Sequence, residues 1–202
     1  MFMKSLLVLV ITLTSSVSMA AYPYAGVVPQ GYAPTVSSAG PQQILRRGIE
    51  KISKFRMPQG PKGLAHAFAF METEISPRFD FSRLTQSAAG PMYRRLTSTQ
   101  RATLESKVKA DFLETLTGNL SQYNSRQIQY FPARRVGRNQ ASVSIRLRPH
   151  RGRPMRLDFR FSRHTGKWKI HDVSVNGSSA VNYYRGYISR SMRQKGRAWL
   201  DN

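Results

Sequence analysis

Two hydrophobic rhythms divide the chain. Up to about residue 120, apolar residues recur at three- and four-residue intervals, and from about residue 126 they alternate with polar ones. The first spacing predicts amphipathic helices and the second predicts half-buried strands. Leu45, Ile49, Ile52 and Phe55 share one helical face, with Arg46, Arg47, Lys51 and Lys54 around it, and Met57-Pro58-Gln59-Gly60-Pro61 ends that helix. Leu64, Phe68, Met71 and Ile75 predict a second helix that stops before Pro77. Asp80 suits the N-cap of a short third helix running through Leu84 to about Ala89, before Gly90. Thr97 and Gln100 have capping-box spacing. Leu104, Val108, Phe112, Leu116 and Leu120 then recur every fourth residue, which overshoots the helical repeat, so the stripe winds round the helix. Leu113 widens it, and Asn119 and Ser121 mark its end.

Beyond that point Ile128 and Tyr130, then Val143, Ile145 and Leu147, then Met155, Leu157, Phe159 and Phe161 alternate with polar neighbours. Trp168 and Ile170 continue the pattern, while Val173 and Val175 reappear on the opposite parity, which predicts a bulge or strong twist near Asp172. Turns fit at Gly137-Arg138-Asn139, Arg151-Gly152-Arg153 and Thr165-Gly166. A last helix is expected from about Ser178 to Leu200, with Val181, Tyr184, Ile188 and Met192 on one face and Tyr187 and Trp199 near it. Helices, then a meander, then a helix predict an α+β domain over residues 42–202, with helices on one face of a curved antiparallel four-stranded sheet.

Such a sheet either fills its concave face with its own side chains or leaves it partly open to an apolar guest, and periodicity is the same in both cases. In the open case, face parity places Val143, Ile145, Met155, Leu157, Phe159, Trp168 and Val173 on the sheet side. From the helices it adds Leu84, Met92, Val108, Phe112, Leu116, Tyr184 and Tyr187. Burial of one methylene is worth about 0.8 kcal/mol, so a dozen offer roughly 10 kcal/mol before the costs of binding.

The N-terminus changes the setting. Lys4, the apolar run Leu6 to Leu13 and the small–x–small Ser18-Met19-Ala20 read as a signal peptide cut after Ala20, too short to span a bilayer. Residues 21–41, with Pro23, Pro29, Pro34 and Pro41 among Gly, Ser and Ala, read as a flexible tether. The absence of cysteine rules out lipidation of the cut end and disulfides alike. Charge is the oddest property: 32 Lys and Arg against 10 Asp and Glu give +22, or +21 once Lys4 is removed. Such a chain is drawn to anionic lipid, acidic protein or nucleic acid, and the export signal argues against nucleic acid.

Candidate chemistry is sparse. His66, His150, His164 and His171 lack metal-ligand spacing, and there is no glycine-rich phosphate loop or nucleophile elbow. Asp158 and Asp172 fall on neighbouring strands amid Arg and Lys, which favours ion pairing over acid–base work. Asp172 and Arg185 are candidates for one structural ion pair, and Gly177 for relief of the backbone between strand and helix. No catalytic, metal or cofactor site emerges.

Four runs, in order, resemble one family. Ile75-Ser76-Pro77-Arg78-Phe79-Asp80-Phe81 resembles its I-x-P-x-x-D-F entry to a helix, and Tyr93 to Arg101 its aromatic-basic step into T-x-x-Q-R. Trp168 to Ser179 is similar to W-K-V-x-D-V-x-V-x-G-V-S, followed by Asn182-Tyr183-Tyr184-Arg185. Ser178 departs from it where the family prefers an aliphatic residue, and the basic load from Arg134 to Arg163 is heavy for it. The family is the MlaC-type periplasmic phospholipid-binding proteins, also called toluene-tolerance or ABC-transporter auxiliary proteins. The resemblance implies an NTF2-like fold with an acyl-chain pocket. It also implies a periplasmic carrier moving phospholipid between an outer-membrane lipoprotein complex and an inner-membrane ABC transporter complex, with no catalytic residues. Three alternatives stay open: a hopanoid-associated carrier, a basic module docking on anionic membrane or acidic protein, and an NTF2-like enzyme.

Overall fold

The computed structural model describes residues 40–60, 62–118, 127–148, 153–164 and 166–201, without the side chains of Gln127 and Arg197. The signal segment 1–20, tether residues 21–39, Asn119, Leu120, Ser121, His150, Arg151, Gly152 and Thr165 lie outside the described residues.

Helix α1 (Pro41–Lys54) opens on Pro41, the last tether residue in the sequence reading. Proline is tolerated there because the first helical N–H has no intrahelical partner. Helix α2 (Gly63–Phe70) runs into a π-helical turn, Met71–Ile75, and a 3-10 turn, Ser76–Arg78, so the helical path continues through Pro77 instead of stopping before it. Leu64, expected on its inner face, is 61% exposed. A Cβ on Gly63 would lie 2.2 Å from the Pro58 carbonyl oxygen, so the α1–α2 connection presses on that glycine. The Gly63–Ala67–Met71 row faces inward, and Leu64, about 100° further round, faces out.

Helix α3 (Phe81–Ala89) is capped as its sequence predicts, with the Asp80 carboxylate accepting from the Arg83 N–H at 3.0 Å. A 3-10 turn, Gly90–Arg95, follows and carries Met92. Helix α4 (Ser98–Gly118) opens on the expected capping box: the Gln100 N–H donates to Thr97 Oγ1 and the Thr97 N–H to Gln100 Oε1, both at 3.2 Å. Leu104 and Leu113, two and a half turns apart and hence on opposite sides, are both fully buried. The helix therefore packs on more than one side. Leu116 rotates to a partly accessible position, and Thr117 takes the buried one, its hydroxyl donating to the Leu113 carbonyl at 2.7 Å.

Among the described residues the alternating region forms six strands, not the four expected. β1 (Gln127–Tyr130) and β2 (Arg134–Gly137) both pair antiparallel with β3 (Gln140–Arg148), β1 along its C-terminal half and β2 along its N-terminal half. Pro132 lies between them and has no N–H to give a ladder. β4 (Met155–His164) and β5 (Lys167–Val175) continue the antiparallel order. Arg160 faces Asp172 while Phe161 faces Ile170, so His171 is the extra residue of the bulge that the parity switch predicts. β6 (Ser178–Ser179) is the unforeseen sixth strand. Asn176 (φ 47°) and Gly177 (φ 87°) join it to β5 in a two-residue turn, where positive φ at both positions is the type I′ requirement. Gly177 thus closes a hairpin instead of easing a strand into a helix. Helix α5 (Ala180–Lys195) follows, capped by Ser179, and ends at Gly196 (φ 62°). A separate 3-10 turn, Arg197–Leu200, replaces the continuous helix expected to Leu200.

Candidate functional site

Strand register assembles one apolar face. Val143 stands opposite Phe159, Ile145 opposite Leu157, and Leu147 opposite Met155. On the far side of β4, Phe159 meets Val173 and Leu157 meets Val175. The β3 members of this face are buried, as are Phe161 and Ile170 at its other end. Met155, Leu157, Phe159, Val173 and Val175 nevertheless remain partly accessible. β4 has a strand on each side, so its accessibility on this face arises where the helical cover is incomplete. α1 contacts β3 and β5, and α5 contacts β5.

All fourteen expected lining residues belong to one apolar cluster. Leu84, Val108, Phe112, Val143, Ile145 and Tyr184 are enclosed in it. Met92, Leu116, Met155, Leu157, Phe159, Trp168, Val173 and Tyr187 pack against it and stay partly accessible. Trp168 stands apart from the open patch, because the buried pair Phe161–Ile170 lies between, and Arg163 sits 5.5 Å above its ring. Val175, Val181 and Tyr183 are equally accessible and were not anticipated. The signal for Val175 was its pairing with Leu157, which needs the register and not just the parity.

Several polar groups near this cluster are engaged, whereas Thr85 Oγ1, Ser162 Oγ and His171 Nδ1 are buried without a hydrogen-bond partner among the described residues. Tyr184 is fully buried and donates from its hydroxyl to Asp111 Oδ2 at 2.9 Å. Burial raises Asp111 above the ordinary carboxylate range, partly countered by that hydrogen bond. Burial, followed by the Asp111 charge, raises Tyr184. Tyr187 stacks edge-on between Tyr184 and Trp199, with ring centroids 6.1 and 5.7 Å away. Asp172, 1% exposed, accepts from Ser179 Oγ at 2.8 Å and from the Val181 N–H at 3.2 Å, with Arg160 at 3.4 Å. Its expected partner Arg185 instead reaches Asn182 Oδ1 at 3.3 Å and the Ser87 carbonyl at 3.4 Å, because α5 starts over Asp172 and carries Arg185 toward α3. Asp158 is held separately by Arg156 at 3.0 Å and by Ser144. Burial lowers His171, and the nearby Arg83 charge adds to it. Among the described residues no cluster of His, Asp or Glu could hold a metal ion, and no helix is long and apolar enough to cross a membrane.

Helices laid over one face of a curved antiparallel sheet, with an apolar patch left accessible, define an NTF2-like α+β protein whose candidate site is greasy. The chain belongs to the MlaC protein family, whose model matches residues 51–200. It is 22% identical over 169 residues to the toluene tolerance protein Ttg2D of Pseudomonas putida, covering 80% of this chain and 77% of that protein. A phospholipid-binding protein from Ralstonia solanacearum, solved in complex with a phospholipid, superposes with a TM-score of 0.66 at 21% identity, over 82% of this chain and 96% of that one. The α+β NTF2-like expectation and the family resemblance are borne out.

Proposed function

We propose that this chain is a periplasmic phospholipid carrier that shelters acyl chains between sheet and helices. The observation carrying this reading is the accessible strip Met155, Leu157, Phe159, Val173 and Val175 on an otherwise buried face. An apolar surface of this kind lowers its free energy when a lipid tail covers it, at about 25 cal/mol for each Å² removed from water. The phospholipid held by the Ralstonia solanacearum relative supports the same reading. The lining consists of the strip together with Met92, Leu116 and Tyr187, with the enclosed residues as its supporting wall. No step of bond chemistry is assigned, since Asp158 and Asp172 are committed to hydroxyl and guanidinium partners.

The wider role follows the family. Residues 1–20 direct export, residues 21–40 tether the domain, and the loaded protein exchanges lipid with an inner-membrane ABC transporter complex and an outer-membrane lipoprotein complex. Native mass spectrometry of protein purified without detergent tests the cargo. Co-purified phospholipid, lost in Leu157→Asp while the fold persists by circular dichroism, is the expected result. Lipid-free wild-type protein that takes up no lipid from vesicles would refute the reading.

A further inference from the structure

We propose that the opposite, polar face of the same sheet, together with the β2–β3 hairpin, docks on an anionic lipid bilayer. Register gathers the charge. Arg146 stands directly opposite Arg156, Arg134 lies level with Ser142, Arg160 with Asp172, and Lys169 with Ser162. Directly opposed like charges destabilise a sheet. Here Phe131 lies against both, with the Arg146 and Arg156 guanidiniums 5.5 and 5.8 Å from its ring, and Arg156 also donates to Asp158 and Ser144. The two carboxylates on this face offset Arg156 at 3.0 Å and Arg160 at 3.4 Å, which leaves Arg134, Arg146, Arg148 and Lys169 as its excess positive charge. Asp172 is 1% exposed, and Asp158 is covered by Arg156 and Ser144.

The hairpin selects a bilayer over an acidic protein. Arg134, Arg135, Val136, Gly137 and Arg138 are all exposed, and Val136 at 66% is the most exposed large apolar residue described. A lone apolar side chain ringed by arginines has no pocket to enter on a flat acidic surface. In a headgroup layer the arginines meet phosphate while the valine reaches the acyl boundary. The docking face and the accessible apolar patch lie on opposite sides of β4, so docking does not depend on cargo.

The test is flotation of the full mature chain with vesicles of phosphatidylcholine alone or mixed with phosphatidylglycerol. Binding is expected only to the mixed vesicles and should fall steeply with salt. Neutralising a surface-facing arginine costs about fivefold, so Arg134→Gln/Arg146→Gln/Arg148→Gln, all on the polar face by register, should weaken binding on the order of 100-fold. Lysine at the same three positions should restore most of it, which separates lost charge from lost folding. Arg47→Gln/Arg193→Gln/Lys195→Gln, on exposed helical sites, should cost less than tenfold, and Val136→Ser should weaken binding without changing its salt dependence. Equal losses from the sheet and helix variants would overturn the assigned face. Wild-type protein that ignores the mixed vesicles would overturn bilayer docking and turn the basic face toward an acidic protein. Mass spectrometry on the same samples keeps the two readings apart: protein that docks but is empty fails as a carrier only, and protein that is loaded but does not dock fails here only.

Discussion

Phe159 and Phe161 lie two residues apart on β4 and point to the same face, yet they should respond to truncation in opposite ways. Phe161 is 0% exposed, between Ala141 and Ile170. Phe161→Ala opens a sealed void and should cost about 3–5 kcal/mol. At roughly 2–4 °C per kcal/mol for a chain of this size, that lowers Tm by about 6–20 °C. Phe159 borders accessible space, so its removal seals no void, and only the part already shielded from water is lost, about 1–2 kcal/mol. The order reverses for cargo. If an acyl chain covers the Phe159 ring, losing that contact weakens lipid retention by roughly 5- to 30-fold. Urea unfolding of lipid-loaded and delipidated protein measures both effects, because a ligand that binds only the folded state adds to stability in proportion to its affinity. Phe159→Ala should shrink the gap between loaded and empty protein, while Phe161→Ala should lower both curves together. Equal destabilisation of the empty protein by the two variants, with lipid retention untouched by Phe159→Ala, would refute an open lining at this strand.

Three further outcomes follow from the polar and backbone features. Burial raises Asp111, so its native carboxyl binds a proton more readily than the unfolded one. The ionised form then penalises folding at neutral pH, and this penalty fades as pH falls through the raised value. Asp111→Asn keeps an acceptor for Tyr184, and urea titrations should find it more stable than wild type at neutral pH, with the advantage shrinking under acid; an advantage that grows under acid contradicts the assignment. Asp172→Asn leaves Ser179, the Val181 N–H and Arg160 facing an amide, at a cost of about 2–3 kcal/mol, whereas exposed Arg185→Ala should cost less than about 0.5 kcal/mol by the same measurement. Gly177→Ala forces a side chain into φ 87° and should lower stability by about 1–2 kcal/mol in thermal melts.

Local chemistry was legible in the sequence where a few neighbouring residues decide it. The Asp80 cap, the Thr97–Gln100 box and the bulge beside Asp172 each rest on contacts within a handful of positions or on a parity change in one strand. Leu64 was misread because the inward row is set by how α2 packs on its neighbours, and Gly63, which heads that row, carries no apolar signal. The Asp172–Arg185 pairing failed for the same reason, since α5 delivers Ser179 and Val181 to the carboxylate before Arg185 can reach it. The Asn176-Gly177 turn was available as a dipeptide signal, and the helical pattern after it masked the short β6. Lining and core were indistinguishable: Ile145 and Leu157 share composition, parity and a cross-strand pair, yet one is 2% exposed and the other partly accessible, because only the placement of helices above them differs.

β4 ties these properties together. Met155, Leu157, Phe159 and Phe161 give it the greasy face, while Arg156, Asp158, Arg160 and Ser162 alternate with them on the other. A slip of one residue against β3 or β5 would exchange the two sets, exposing the apolar strip and burying arginine. Register is therefore the quantity on which both lipid shelter and basic surface depend, and several contacts hold it. Ser144 binds Asp158 across the β3–β4 pair, and Arg160 reaches Asp172 across β4–β5. The Asn176 side chain accepts from the Arg156 N–H at 2.9 Å, and its own N–H donates to the Arg156 carbonyl at 2.8 Å, anchoring the hairpin turn to the start of β4. The His171 bulge then lets β5 continue its apolar side chains on the lined face after the extra residue. These polar contacts lie outside the greasy patch, and they are what keeps it on the correct side of the sheet.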